Sequence, residues 1–301
     1  MKVDLHIHTA ASGDGEFSPQ EIVKLAKENQ LQAIAITDHD SINSIESALY
    51  WGERYGIEVI PGCEFSAQYK DKWLHVLGYF IDHNNPAIKK WCKKIEKSLE
   101  ENVDIQIAKL REAGFYLDKD KVVESGAQPM PVSYCRAMFL DQRNNDNKLM
   151  NQYRSQENHI IKFCMDWIVT GRPYNAPRYI PGVQDVISLI IQSGGVPVLA
   201  HPAATLTHDE DSLLYDLLGF GLMGIEAFTT WHTTEQEEHY YRFCQANKVL
   251  ATCGSDFHGK TKPHIHIGQV KSNSYEVLEC LKDLYGIVKH KKANCRINGI
   301  Y

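Results

Sequence analysis

Histidine and carboxylate side chains recur in short groups along this chain of 301 residues. His6-Ile7-His8 stands near its start, and Gly254-Ser255-Asp256-Phe257-His258-Gly259 lies near its other end. Between them come Thr37-Asp38-His39-Asp40, Gly62-Cys63-Glu64, His75 and Ala200-His201-Pro202. Two residues apart on a strand, His6 and His8 share a face, roughly 6–7 Å apart, and can hold one cation or two neighbouring ones. Glu64 has two oxygens and can bridge two cations, which a neutral imidazole cannot. Each position alone has a plainer reading. An isolated HxH pair occurs on surfaces, His75 could be a neutral core imidazole, and Asp40 could cap a helix. Together they exceed the needs of one ion and point to two or three. Nitrogen and oxygen donors without thiolates suit manganese, zinc or iron.

These groups must be positioned by elements that end at a common rim. Residues 2–8 alternate as a strand, with Leu5 and Ile7 facing one way and Asp4, His6 and His8 the other. Ser18-Pro19-Gln20-Glu21 starts a helix, with Ser18 as cap, Pro19 in the first turn and Glu21 completing a capping box. Strands are predicted over 32–37, 57–60 and 73–80, and a helix over 44–55 that Gly56 ends. From 86 to 181 the pattern turns helical, charged and irregular, with a long helix over 91–113. Its early face carries Lys89, Lys90, Lys93, Lys94 and Lys97. The Asn-rich stretch 141–151 reads as an exposed loop. From Val183 a strand–helix rhythm resumes, with strands over 196–200, 224–228 and 249–253. This predicts parallel pairing. About seven strands suit a barrel better than an open sheet. The barrel domain is expected to comprise 1–85 and 182–301, and 86–181 to form a helical insertion that acts as a lid.

The net charge of −6 gives no long-range pull toward nucleic acid or anionic lipid. A long nucleic-acid substrate is not expected, although the lysine face leaves short oligonucleotides open. No apolar run approaches the roughly 20 residues of a membrane helix, and the first residues do not read as a signal peptide. Eight cysteines without a CxxC pair read as reduced, mostly buried thiols of a cytoplasmic protein.

The five His/Asp/Glu motifs above resemble the successive motifs of the PHP (polymerase and histidinol phosphatase) family. Asp14-Gly15, the segment from Gly194-Gly195 to His201-Pro202 and Gly224-Ile225-Glu226-Ala227 share the resemblance, which covers most of the chain outside the insertion. It implies an α/β fold, a distorted (β/α)7 barrel with a mainly helical insertion, and a trinuclear site. His6, His8, Glu64 and Asp256 would hold the first metal. Glu64 would bridge to a second held by His75 and His201, and Asp14, His39 and His258 would hold the third. Aspartate at position 14 and the place of the insertion resemble the nucleoside 3′,5′-bisphosphate and AMP phosphatase group. Relatives of that group often carry Arg-Pro-His ahead of an Ala-Arg-Ala-Leu stretch. Here the segment reads Pro131-Val132-Ser133-Tyr134-Cys135-Arg136-Ala137-Met138, so only Arg136 survives to meet phosphate, with Arg172 and Arg178 as substitutes.

The expected activity is hydrolysis of phosphate monoesters of a small molecule, a nucleotide for preference, by a hydroxide bridging the first two metals while the third binds phosphate. Asp14, Asp38 and His232 are the expected catalytic residues. Asp38, with Asp40, would orient His39, and His232 would protonate the leaving oxygen. His208, His264 and His266 could also approach the rim. The alternatives are a 5′-3′ exonuclease on short oligonucleotides, a histidinol-phosphate phosphatase and a non-catalytic regulatory module.

Overall fold

A computed structural model describes residues 1–123 and 129–297. The chain opens with β1 (Lys2–Ile7), α1 (Pro19–Glu28), β2 (Leu31–Ile36), α2 (Ile45–Tyr55), β3 (Glu58–Tyr69) and β4 (Lys72–Tyr79). The capping box forms as read, with Ser18 and Glu21 satisfying each other's backbone amides. Gly56 ends α2 in the left-handed conformation. Leu5, Ile7, Ile34 and Ile36 are fully buried. At about 1.5–3 kcal/mol each, such side chains fix which face of a strand turns inward.

The insertion follows as α3 (Pro86–Glu112), α4 (Lys119–Val123), α5 (Pro131–Leu140), α6 (Lys148–Asn151) and α7 (His159–Trp167). Ile88 and Cys92 of α3 pack into a core shared with the barrel. Val103, Ile107 and Leu110 further along the same helix belong to a second core, built with Phe115, Met138 and Phe163. The stretch 141–151 is mostly exposed, as its asparagines suggested, but it forms short helical turns rather than an irregular loop. Asp141 caps a 3-10 turn, Asn147 accepts from the amides of Leu149 and Met150 to start α6, and buried Asn144 donates to the carbonyls of Tyr116 and Met138. Short polar side chains here satisfy backbone groups that would otherwise need water.

The chain then runs through α8 (Val183–Ser193), β5 (Val196–Leu199), α9 (Asp211–Gly219), β6 (Gly224–Thr229), α10 (Thr234–Asn247), β7 (Leu250–Gly254) and α11 (Tyr275–Ile297). The seven strands form one sheet in the order β1 to β7. Pairing is parallel except around β4, which runs antiparallel to both β3 and β5. That corrects the expectation of uniform parallel pairing. β3 extends to Tyr69, and two residues, Lys70 and Asp71, cannot form the crossover that a parallel partner needs.

The sheet nearly closes into a barrel. Asp256 N–H donates to the His6 carbonyl at 2.9 Å and His8 N–H to the Phe257 carbonyl at 3.0 Å. The Asp4 carboxylate adds bonds from the Ser255 amide and hydroxyl. Gly254 allows this approach, since a Cβ there would sit 2.2 Å from the His6 Cβ. The seven cysteines with described side chains are free thiols, all buried but Cys280; the side chain of Cys295 lies outside the described set. Among the described residues no helix is long and apolar enough to cross a membrane.

Candidate metal centre

The rim where the parallel strands end gathers the histidines and carboxylates singled out in the sequence. His6 lies near the end of β1 and His8 just beyond it. His39 follows β2, and is fixed by Asp40 N–H donating to the Glu64 carbonyl and Glu64 N–H to the Asp38 carbonyl. Glu64 and His75 sit within β3 and β4 rather than at strand ends. The reversal of β4 is what carries His75, an early residue of that strand, to this end of the barrel. His201 follows β5, and Asp256 and His258 follow β7. His201, Asp256 and Asp40 adopt positive φ angles of 23°, 56° and 47°. Such strain in non-glycine residues is held by surrounding structure and gathers at functional sites.

His6 Nε2, His8 Nε2, Glu64 Oε2 and Asp256 Oδ1 form one tight group. The distances from His6 Nε2 are 3.1 Å to His8, 3.2 Å to Glu64 and 3.4 Å to Asp256. His8 Nε2 lies 3.1 Å from each carboxylate oxygen. Ligands about 2.0–2.1 Å from a tetrahedral ion stand about 3.3 Å from one another, so this spacing fits a cation at the centre. The hydrogen bonds behind the ligands fit too. His6 Nδ1–H faces the Glu226 carboxylate at 3.0 Å, and His8 Nδ1–H faces Ser12 Oγ at 3.1 Å, which itself donates to Asp14. Both imidazoles therefore turn Nε2 toward the centre. Glu64 Oε2 and Asp256 Oδ1 are buried without a hydrogen-bond donor. Burial opposes a charge on the His6 ring, yet Glu226, Glu64 and Asp256 push it well above its usual value, so the group demands positive charge at its centre, which a cation would supply.

Two further groups adjoin the first. Glu64 Oε1 lies 2.8 Å from His75 Nδ1 and 2.9 Å from His201 Nε2. Asp14 Oδ2 lies 3.3 Å from His258 Nε2 and 3.5 Å from His39 Nε2. His258 Nδ1–H donates to the Asp256 carbonyl, which leaves Nε2 bare and unpartnered. His39 Nδ1 also lies 3.1 Å from Glu64 Oε2, so His39 faces two of the groups. Burial alone would raise the Glu64 carboxyl, but the rings of His75, His39 and His6 hold it well below the usual range. Burial, with His258 and His39 nearby, pushes His8 down to about 4, so its ring stays neutral.

Residues 4–166, more than half of the chain, match the PHP domain. The chain belongs to the PHP domain family. Its similarity to curated PHP relatives extends well beyond those residues. It is 27% identical to the phosphoribosyl 1,2-cyclic phosphate 1,2-diphosphodiesterase of Eggerthella lenta, across 89% of this chain and 98% of that protein. It is 27% identical to a 5′-3′ exoribonuclease of Haemophilus influenzae (85% and 90%). It is 25% identical to the 3′,5′-nucleoside bisphosphate phosphatase of Chromobacterium violaceum (85% and 87%). The fold matches a solved structure described as an amidohydrolase from Chromobacterium violaceum, with a TM-score of 0.79 and 22% identity over 93% of this chain and 97% of that one.

In this PHP chain a cavity of about 420 Å³ lies over the metal groups. His39, His75, His201, Asp14 and Asp256 line it from the barrel, and Met130, Val132, Ile161, Met165, Thr170 and Arg172 line it from the insertion. Of the arginines expected to meet phosphate, Arg172 lines this cavity, whereas Arg136 and Arg178 do not. Arg136 is engaged with Thr261. Arg178 is almost buried near Asp40 and Tyr134, with Nη1 unpartnered. None of the five lysines on the early face of α3 lines the cavity; Lys94 lies over the Tyr179 ring and Lys97 pairs with Glu101.

Two residues expected to be catalytic, Asp38 and His232, stand apart from the cavity. Asp38 is fully buried and accepts from the Thr9 amide, the Thr9 hydroxyl and Ser44 Oγ. It ties the turns after β1 and β2 together and does not orient the His39 ring. His232 does not line the cavity. Its Nδ1–H donates to the Ala227 carbonyl and its Nε2 accepts from the Ala203 amide, and burial lowers it to about 4. His264 bonds Asn158 and His208 meets the His239 ring edge-on, and neither, nor His266, lines the cavity.

Sequence reasoning missed three residues that touch the ligands. Glu226 binds His6 and also accepts from the His201 amide at 2.8 Å; a fully buried carboxylate within the apolar strand β6 was the available signal. Lys262 pairs with Asp256 Oδ2 and lies 4.8 Å over the Trp231 ring. Trp231 Nε1–H donates to the same Asp256 oxygen. Nothing local in the sequence marks Lys262 or Trp231.

Proposed function

We propose that this PHP protein is a metal-dependent phosphoesterase that releases phosphate from monoesters of a small molecule, with a nucleotide as the leading candidate. The observation that carries the reading is the convergence of buried histidine and carboxylate atoms beneath a cavity of substrate size. We assign His6, His8, Glu64 and Asp256 to one cation, Glu64, His75 and His201 to a second, and Asp14, His39 and His258 to a third. Manganese, zinc and iron all suit these donors. Bound cations would supply an acidified water and neutralise charge on the phosphoryl oxygens.

The chain's own residues set the remaining conditions. Glu226 and Ser12 fix the tautomers of His6 and His8. Asp14 contributes a carboxylate toward His39 and His258. Lys262 has three ammonium protons and spends one on Asp256, which leaves two for a phosphoryl or leaving-group oxygen. Arg172 supplies a second cation at the cavity wall. Residues 86–181 act as a cover that excludes water from the cavity. The free buried thiols fit a reducing, cytoplasmic setting.

Phosphate release from p-nitrophenyl phosphate in the presence of manganese tests the reading. Asp256→Ala should lower kcat/KM more than about 100-fold. Full activity in that variant, or metal-loaded protein inert toward every phosphoester, would refute it. Short 5′-phosphorylated oligonucleotides belong in the same screen, because the Haemophilus influenzae relative is named an exoribonuclease.

A further inference from the structure

A second cavity adjoins the one over the metal groups. It encloses about 490 Å³, a volume within the range of small-molecule sites. Ile161 and Met165 of α7 and Trp231 and Lys262 of the barrel loops line both cavities. Two of these four touch an assigned ligand: Lys262 pairs with Asp256, and Trp231 donates to the same carboxylate oxygen. The Trp231 ring also lies 5.6 Å from that of His201. The second cavity therefore begins one side chain away from the metal groups. Met165 and Lys262 are unbranched and turn about several bonds, so the boundary between the cavities can open by changes of rotamer.

Beyond that boundary the lining changes in kind. Gln152, Tyr153, Gln156, Asn158 and Lys162 line the second cavity from the insertion, and His264, tied to Asn158 at 2.9 Å, lines it from the barrel. Three carboxamides and an imidazole offer donors and acceptors to a base edge or a ribose hydroxyl. Tyr153 and Trp231 offer rings on which a base stacks. Lys162 is exposed and forms no ion pair among the described residues, which leaves its charge for an anion. The carboxylate of the lining, Asp166, accepts from the Tyr153 hydroxyl at 2.8 Å.

We infer that this second cavity is a subsite for a second nucleotide unit, so that a 5′-phosphorylated dinucleotide or short oligonucleotide fits better than a mononucleotide. The inference rests on the phosphoesterase reading above and extends it from one cavity to two. The terminal phosphate lies over the metal groups and the first nucleoside fills the first cavity. The next phosphodiester and base pass between Met165 and Lys262 to Lys162, the carboxamides and Tyr153. A chain with a net charge of −6 lacks the charge to hold a long strand, which limits the substrate to a short one.

The test compares kcat/KM for phosphate release by the metal-loaded enzyme from 5′-phosphorylated adenylyl-adenosine, adenosine 5′-monophosphate and p-nitrophenyl phosphate. The dinucleotide should exceed the mononucleotide by at least ~10-fold, through KM. Lys162→Glu should lower the ratio of dinucleotide to p-nitrophenyl phosphate by ~10-fold. Lys93→Glu makes the same charge change on α3, outside both cavities. It should leave that ratio within about twofold, because distant exposed charges are screened. Calorimetric titration of the metal-free protein reads the subsite without turnover. Adenylyl-adenosine, which lacks a terminal phosphate, should bind at least ~10-fold more tightly than adenosine, and Lys162→Glu should remove the difference. Equal kcat/KM for the two nucleotides, equal binding of the two unphosphorylated compounds, or an equal fall in Lys93→Glu overturns the inference and leaves the phosphoesterase reading standing. Silence on every ester overturns that reading and takes this one with it.

Discussion

Replacing Glu226 by glutamine changes one oxygen to an amide nitrogen and should loosen the first cation. The carboxylate accepts twice, from His6 Nδ1 at 3.0 Å and from the His201 amide at 2.8 Å, and it is fully buried. A glutamine can accept at only one of these places. If its oxygen keeps the His201 amide, its NH2 faces His6 Nδ1. The imidazole must then either tolerate two donors or move its proton to Nε2. That proton would point among His8, Glu64 and Asp256, all within 3.4 Å, and remove a lone pair from the centre. If the side chain turns over, the clash falls on the His201 amide instead. Loss of such an orienting partner costs about 10–100-fold in metal affinity, or about 1.4–2.7 kcal/mol. The assay is competition for manganese or zinc against a chromophoric chelator, with the melting temperature of the metal-free protein as a folding control. Glu226→Gln protein that melts normally and binds metal within twofold of the parent would refute the argument.

Three further outcomes follow from the same geometry. His232 ionises near 6.5 when unfolded and near 4 in the fold, so between those values the unfolded chain binds the extra proton and native stability falls as pH drops. Urea midpoints from pH 7 to pH 4 should therefore fall less steeply in His232→Gln than in the parent, by up to about 3 kcal/mol, while kcat at pH 7 stays within about threefold; loss of one limb of the kcat profile would restore it as a proton donor. Chelation should lower the melting temperature by about 4 °C, since one site at a hundredfold its Kd adds about 2.7 kcal/mol; an unchanged melt would mean the ligand atoms hold no ion in solution. Gly254→Ala should destabilise the protein by about 2 kcal/mol or more, because the new Cβ would collide with His6 and Glu226; an unmoved urea midpoint would show that the barrel join yields freely.

What could be read from the chain was what local chemistry dictates. The capping box at Ser18 and the strand endings near His39, His201 and Asp256 are set by neighbours in sequence. The direction of β4 was hidden because residues 65–69 mix polar with apolar side chains and disguise the length of β3. The asparagines of 141–151 looked like loop residues because their work is to satisfy carbonyls and amides that only the fold brings near. The partners of Asp38 and His232 were hidden for the same reason. A buried polar side chain beside a strand end can face a substrate or a backbone amide, and the partner across the barrel decides which. Glu226 meets His6 across more than two hundred residues of chain, a distance over which no spacing rule operates.

The barrel's join is made by Asp256 and His8, whose backbone bonds lie beside the ligand atoms of the same two residues. An ion seated there rivets the first strand of the sheet to the last. Losing it unfastens a cylinder rather than merely emptying a socket, so metal starvation should register as faster proteolytic clipping near either flank of that seam.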